Sequence, residues 1–218
     1  MSAQVKPSRR KYDSPLRADQ ARQTRARILD AAYRLFAEGG YARTTIASVA
    51  DEAGVSPETI YLTFGGKRGL LEGVIAMAIA PEADPSTQED ELWKELEQVS
   101  NPSQRLEAMV AYSCAILART EPVHTVIRGA ADKEPFAAAL GSRLLRDRLA
   151  HQTERIGRYL GSALRPGLSV LEAGERYCAL TSPELYQLLT VEFGWTAARH
   201  RNWLTSLLHD ELLGSLSS

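Results

Sequence analysis

The residue types that most often carry chemistry are few and scattered in this 218-residue chain. The four histidines, His124, His151, His200 and His209, include no pair at i, i+4, the spacing by which one helix offers two imidazoles to a metal. Cys114 and Cys178 make neither a disulfide framework nor a zinc ligand set. Gly65-Gly66-Lys67 invites a phosphate-loop reading. That motif needs a glycine at position 61 and a hydroxyl at 68, where Tyr61 and Arg68 stand. No G-x-G-x-x-G after a strand, no G-x-S-x-G and no H-E-x-x-H occurs. The expectation is a protein that is not an enzyme and uses no metal or cofactor.

Charge is more informative than nucleophiles. The net charge is −1, but residues 1–70 carry 12 Lys and Arg against 7 Asp and Glu, and the remainder carries 14 against 20. A basic first third on an acidic body suggests a head that binds a polyanion; a solvated basic tail is the alternative. With 44% hydrophobic and 24% charged residues, wholesale disorder is excluded. The most apolar stretch, Leu70 to Ala80, is interrupted by Glu72 and falls short of the ~18–20 residues a membrane span needs. Met1 to Arg10 is polar and basic, without the apolar segment of a secretory leader, so a cytoplasmic location is expected.

The elements that must present those cations read as helices throughout. The expected fold is all-α: an N-terminal three-helix helix-turn-helix domain and a larger C-terminal helical bundle. Residues 1–18 read as a disordered basic tail. From Asp19, Ile28, Ala32, Leu35 and Phe36 recur at i, i+4, i+7, i+8 on one helix face that ends at Gly39-Gly40. A short helix over Thr45–Ala53, capped by Thr44 or Thr45, stops at Gly54. Ser56 then caps a third helix with Pro57 at its first position, and Gly65-Gly66 closes it. A fourth, linking helix covers 67–80, and Pro81–Gln88 reads as a connector. Further helices are expected over Glu89–Val99, Ser103–Arg119, Pro122–Ala131, Pro135–Tyr159, Ser169–Leu180, Pro183–Phe193 and Ala197–Leu213. The division is then 19–66 for a compact helical head and 81–218 for a larger helical body.

The informative segment is 45–64. Two short helices meet at Gly54, Ala50 is small enough for a close crossing, and Val49, Ala53, Val55 and Ile60 share the apolar contact. This is a helix-turn-helix pattern, to be weighed against a generic corner between two helices.

Wider context decides between them. The runs Arg27-Ile-Leu-Asp-Ala-Ala-Tyr-Arg-Leu-Phe-Ala-Glu-Gly-Gly-Tyr-Ala-Arg-Thr-Thr45, Val49-Ala-Asp-Glu-Ala-Gly-Val-Ser-Pro-Glu-Thr-Ile-Tyr61 and Phe64-Gly-Gly-Lys-Arg-Gly-Leu-Leu71 closely resemble the TetR family of bacterial transcriptional regulators. The resemblance covers about Arg22 to Pro81. It implies that the helix after Gly54 lies in the major groove, where Ser56, Pro57, Glu58, Thr59 and Leu62 are the base-contact candidates. Glu58 suits a cytosine amine, Thr59 a base edge or thymine methyl, and Leu62 and Pro57 apolar contact. The phosphate-contact candidates are Arg25, Thr44, Thr45, Tyr61, Thr63 and Lys67. The matches to family residues are Tyr61 and Lys67, although Tyr61 also suits a core and Lys67 a solvated surface. Thr63 departs from the pattern, standing where an aromatic or histidine is common, and Gly65-Gly66 replaces a stiffer turn. With no Lys or Arg in the reading helix, affinity must come from its flanks, including Arg22, Arg27, Arg43 and Arg68.

For the body the resemblance implies a homodimer and a small-molecule effector. The interface candidates are Leu185, Leu189, Phe193, Trp203, Leu207 and Leu208, more apolar surface than a terminal hairpin hides; burial within one chain is the alternative. The effector-pocket candidates are Trp93, Met109, Tyr112, His124, Ile127, Phe136, Tyr159 and Tyr177, each also plausible as plain core. The implied partner is double-stranded DNA bearing a palindromic operator. The implied function is a repressor released by its effector, with a ligand-free activator or architectural DNA binder as the alternative.

Overall fold

The computed structural model describes residues 15–79 and 85–214, with side chains from 17–79 and 92–214. Among these residues there are helices and no strand. The helices are α1 (Pro15–Arg43), α2 (Ile46–Ala53), α3 (Pro57–Phe64), α4 (Lys67–Ile79), α5 (Pro85–Gln98), α6 (Pro102–Ala131), α7 (Pro135–Leu160), α8 (Val170–Leu180), α9 (Pro183–Gln187) and α10 (Ala197–Leu212). No helix among the described residues is long and apolar enough to cross a membrane.

Two apolar cores form along α6. The first joins Ile28, Ala32 and Phe36 of α1 to Val49, Ala50 and Ala53 of α2, Ile60 of α3, and Leu70, Leu71 and Val74 of α4. Val123, Val126 and Ile127 of α6 and Leu140 of α7 complete it from below. The second joins Leu106, Met109 and Val110 of α6 to Leu96, Ile156, Leu160, Tyr177, Leu204 and Leu208 from α5, α7, α8 and α10. Polar bonds fix the head to α6: the Tyr33 hydroxyl donates to the Arg119 carbonyl at 3.2 Å, and Arg119 Nε donates to the Ala78 carbonyl at 3.2 Å.

Several boundaries differ from the sequence reading. The expected basic tail ends earlier, because helix α1 starts at Pro15; residues 1–14 lie outside the described residues. Proline suits a first helical position, and Asp19 pairs with Arg22 one turn on. The connector gives way to helix at Pro85 for the same reason, and 80–84 lie outside the described residues. No break occurs at Pro122, which sits inside continuous α6. The ring costs one N–H bond, but buried Thr120, Val123 and Val126 hold both sides of it in place. The helix expected over Pro183–Phe193 is α9 followed by a π-helical turn at Leu188–Glu192, closed by a bond from Phe193 N–H to the Leu188 carbonyl at 3.0 Å. In α1, Gly40 leaves the helical region (φ 71°, ψ 171°), and helical turn resumes to Arg43.

Candidate nucleic-acid interface

The turn between α2 and α3 is built by local capping. Thr45 caps α2: Ser48 N–H donates to Thr45 Oγ1 at 3.0 Å, and Thr45 N–H donates to Ser48 Oγ at 3.1 Å. Gly54 then adopts φ 63° and ψ 45°, a left-handed conformation that a side chain disfavours. Its N–H and that of Val55 satisfy the last carbonyls of α2, Asp51 and Ala50. Ser56 caps α3, accepting from Thr59 N–H at 3.4 Å, with Pro57 at the first helical position. Only Ile60 of α3 is fully buried. Phe64 packs partly buried against the same core, and Pro57, Glu58, Tyr61, Leu62 and Thr63 are left exposed.

Leu62 is 89% exposed and Tyr61 56% exposed, the largest apolar side chains left open on the head. Ser56, Pro57 and Glu58 are exposed beside them, and Thr59 is half-buried. The Glu58 carboxyl is held below its usual range, first by its own backbone N–H and then by the Ser56 hydroxyl. Thr63 is exposed, but its hydroxyl donates to the Thr59 carbonyl at 2.7 Å, so its oxygen is left as an acceptor until the rotamer changes. An open groove of about 440 Å³ runs between Gln20–Arg25 of α1 and Thr59 and Thr63 of α3.

Cations line both flanks. The Arg25 guanidinium lies 4.5 Å from the centroid of Phe64, at the end of α3. The Lys67 ammonium lies 4.2 Å from the centroid of Tyr41 and donates to the Ala42 carbonyl at 3.4 Å. Burial lowers the Lys67 pKa, and the charge of Glu134 opposes that shift. Arg34 pairs with Glu52 at 2.9 Å across α1 and α2, and Arg43 Nε donates to the Gly39 carbonyl at 2.8 Å. Thr44 is withdrawn from the phosphate-contact candidates. It is buried, and its hydroxyl lies 3.0 Å from both the Leu35 and Gly40 carbonyl oxygens, which take its one proton.

A profile of bacterial regulatory proteins of the tetR family matches residues 28–74, the span that contains α2, α3 and their glycine turn. Over that span the chain is similar to the TetR family. Among relatives, the uncharacterized HTH-type transcriptional regulator YvkB of Bacillus subtilis (strain 168) is 38% identical over 76 residues, 34% of this chain and 40% of that protein. TtgR, an HTH-type transcriptional regulator of Pseudomonas putida, is 42% identical over 57 residues, 26% of this chain and 27% of that protein. The chain thus matches less than half the length of these relatives. In fold the likeness extends further. NalD, the secondary repressor of the MexAB-OprM multidrug efflux pump in Pseudomonas aeruginosa, superposes with a TM-score of 0.67 at 19% identity, over 88% of this chain and 98% of that one. FadR of Bacillus subtilis, solved with stearoyl-CoA, gives 0.66 at 18% identity, over 85% and 98%. Over most of its length the chain therefore has the fold of these two regulators, while the sequence matches to YvkB and TtgR span 76 and 57 residues.

The eight effector candidates do not form one lining. Trp93 stacks on Tyr159 and meets Tyr112 edge-on, both at 5.3 Å, and Met109 and Tyr177 are buried in the same second core. The Tyr177 hydroxyl is 2.9 Å from Ser113 Oγ. Ile127 and Phe136 instead pack in the first core, under the head. His124 faces the charges of Arg148, Glu184 and Arg128, and burial brings its pKa down to about 4. Among the interface candidates, Leu208 is fully buried and Leu189 nearly so, both within this chain, and they are withdrawn from any outer face. Leu185, Trp203 and Leu207 are half-buried, and Phe193 is 62% exposed, next to exposed Leu188 and Val191 on the π-helical turn. Periodicity gave no sign of that turn, whose extra residue shifts the apolar face.

Proposed function

We propose that the chain is a dimeric bacterial transcription regulator, a cytoplasmic repressor that a small molecule releases from a palindromic operator. The observation that carries the reading is α3 itself: a short helix anchored by Ile60 and Phe64, set by the Gly54 turn, with its outer face open and cations on both sides. The major groove accepts one helix, and the flanking cations suit the phosphates on either side. Ser56, Pro57, Glu58, Thr59 and Leu62 are assigned to bases, and Arg25, Thr45, Tyr61, Thr63 and Lys67 to the backbone. Residues 19–66 make the reading unit, 67–80 the link and 81–218 the body.

In the body, the cluster of Trp93, Met109, Tyr112, Tyr159 and Tyr177 is the assigned effector region, a mostly apolar lining with phenol tips. NalD's description as a repressor and the stearoyl-CoA held by FadR support a ligand-responsive repressor. Leu185, Phe193, Trp203 and Leu207, with Leu188 and Val191, are assigned to the dimer contact, because exposed apolar side chains on one turn lower the free energy when covered. The test is selection of duplexes from a randomised pool by the purified chain, with sedimentation of the free protein. A palindromic consensus bound by a dimer supports the reading. A monomer that recovers no consensus refutes it.

A further inference from the structure

We propose that Phe136 and Glu134, at the turn from α6 into α7, set how firmly Lys67 and Arg68 hold DNA, the ring as a positioning residue and the carboxylate as a competing anion. This rests on the DNA-binding reading above. Phe136 is wedged between two side chains of the head. Its ring lies 5.2 Å from Tyr41 at an interplanar angle of 56°, and the Arg68 guanidinium carbon lies 5.2 Å from its centroid. Tyr41 stacks at 5.9 Å on Phe36 and carries the Lys67 ammonium on its face. The contacts run Arg68, Phe136, Tyr41, Lys67, and Phe136 is the member that comes from the body.

Lys67 and Arg68 open α4 immediately after the turn that ends α3, so they flank whatever α3 enters. A ring face attracts a cation through its quadrupole without using an N–H. Lys67 gives one N–H to Ala42 and keeps two for phosphate oxygens. Glu134 is exposed at the position that precedes α7, two residues before the Phe136 ring that packs on Tyr41, and makes no side-chain cap bond; from there its charge acts on both Lys67 and Tyr41. An anion that favours the Lys67 ammonium in the free protein must be outcompeted by the phosphodiester. Any movement of the α6–α7 turn therefore alters the grip on DNA without touching α3.

The experiment uses the full chain and a fluorescently labelled duplex of random sequence, titrated over a range of NaCl concentrations, because phosphate contacts need no operator. Phe136→Leu, which keeps apolar volume but removes the ring, weakens binding by roughly two- to fivefold. Glu134→Gln tightens it by roughly two- to threefold, and that gain vanishes in a Lys67→Ala background. Lost stability cannot produce changes of opposite sign. If Phe136→Leu melts below the assay temperature, the Glu134→Gln and Lys67→Ala cycle decides alone. Neutral seam variants beside a weakened Lys67→Ala overturn this inference and leave the DNA reading intact. So does a Glu134→Gln gain that survives Lys67→Ala. An unaltered chain that fails to bind duplex overturns the DNA reading, and this inference with it.

Discussion

Arg25 lies over Phe64, 4.5 Å from guanidinium carbon to ring centroid, and so ties the middle of α1 to the last residue of α3. The ring fixes the direction of a cation whose head stays in water. Replacing Arg25 by Gln should weaken binding to any duplex and lower the dependence of log K on log salt by about one ion. Equilibrium titrations at several salt concentrations measure both. An unchanged slope would remove Arg25 from the phosphate contacts.

The open face of α3 predicts a different phenotype. Leu62→Ala should change thermal stability by less than ~0.5 kcal/mol, since the side chain is 89% exposed. Glu58→Gln should cost about 1–3 kcal/mol on the preferred duplex and alter the base selected at one position. Site selection with each variant is the check. The same consensus from parent and Glu58→Gln would show that Glu58 reads nothing.

At Gly54, an added Cβ meets no atom within 4 Å, so a side chain there suffers only from the backbone angle, φ 63°. Gly54→Val should destabilise the chain by roughly 1–2 kcal/mol, and Gly54→Asn by less, because asparagine tolerates the left-handed region. Denaturant midpoints compare the two. Equal midpoints for both variants and the parent would contradict the strained turn.

Half-buried His124 gives the protein an acid-sensitive element. Burial first, then the charges of Arg148 and Arg128, lower its pKa from 6.5 to about 4 against the opposing pull of Glu184. Between those values the unfolded chain holds a proton that the native chain does not, so stability falls as pH falls. The full swing is on the order of 3 kcal/mol. His200, also buried and lowered, adds in the same direction. His124→Gln should flatten the stability profile across this window by about one proton. A profile as steep as the parent's would mean that His124 titrates normally.

The head was legible in the sequence because its signals are local. Ser56, Pro57 and Gly54 each act on backbone within a few residues, and their caps and turn form where their types require. Thr44 and Thr45 were indistinguishable as a cap until burial separated them: Thr44 points at the Leu35 carbonyl, and Thr45 at Ser48. Phe136 shows the opposite case: its type suits an effector pocket, and it packs under the head. Nothing near residue 136 announces that Tyr41 and Arg68 will surround it, since that meeting depends on how α7 returns beneath the head. Pro122 shows the same limit, a strong local breaker overridden by tertiary packing along α6.

Val123, Val126, Ile127 and Leu140 reach up from the long helices to finish the floor under α1 and α4. A fragment ending at residue 79 would present that floor to water, so transplanting this reader onto a foreign body means carrying the matching stretches of α6 and α7 with it. Retargeting it is better done by exchanging the outward side chains of α3 in place, because those rest on nothing below.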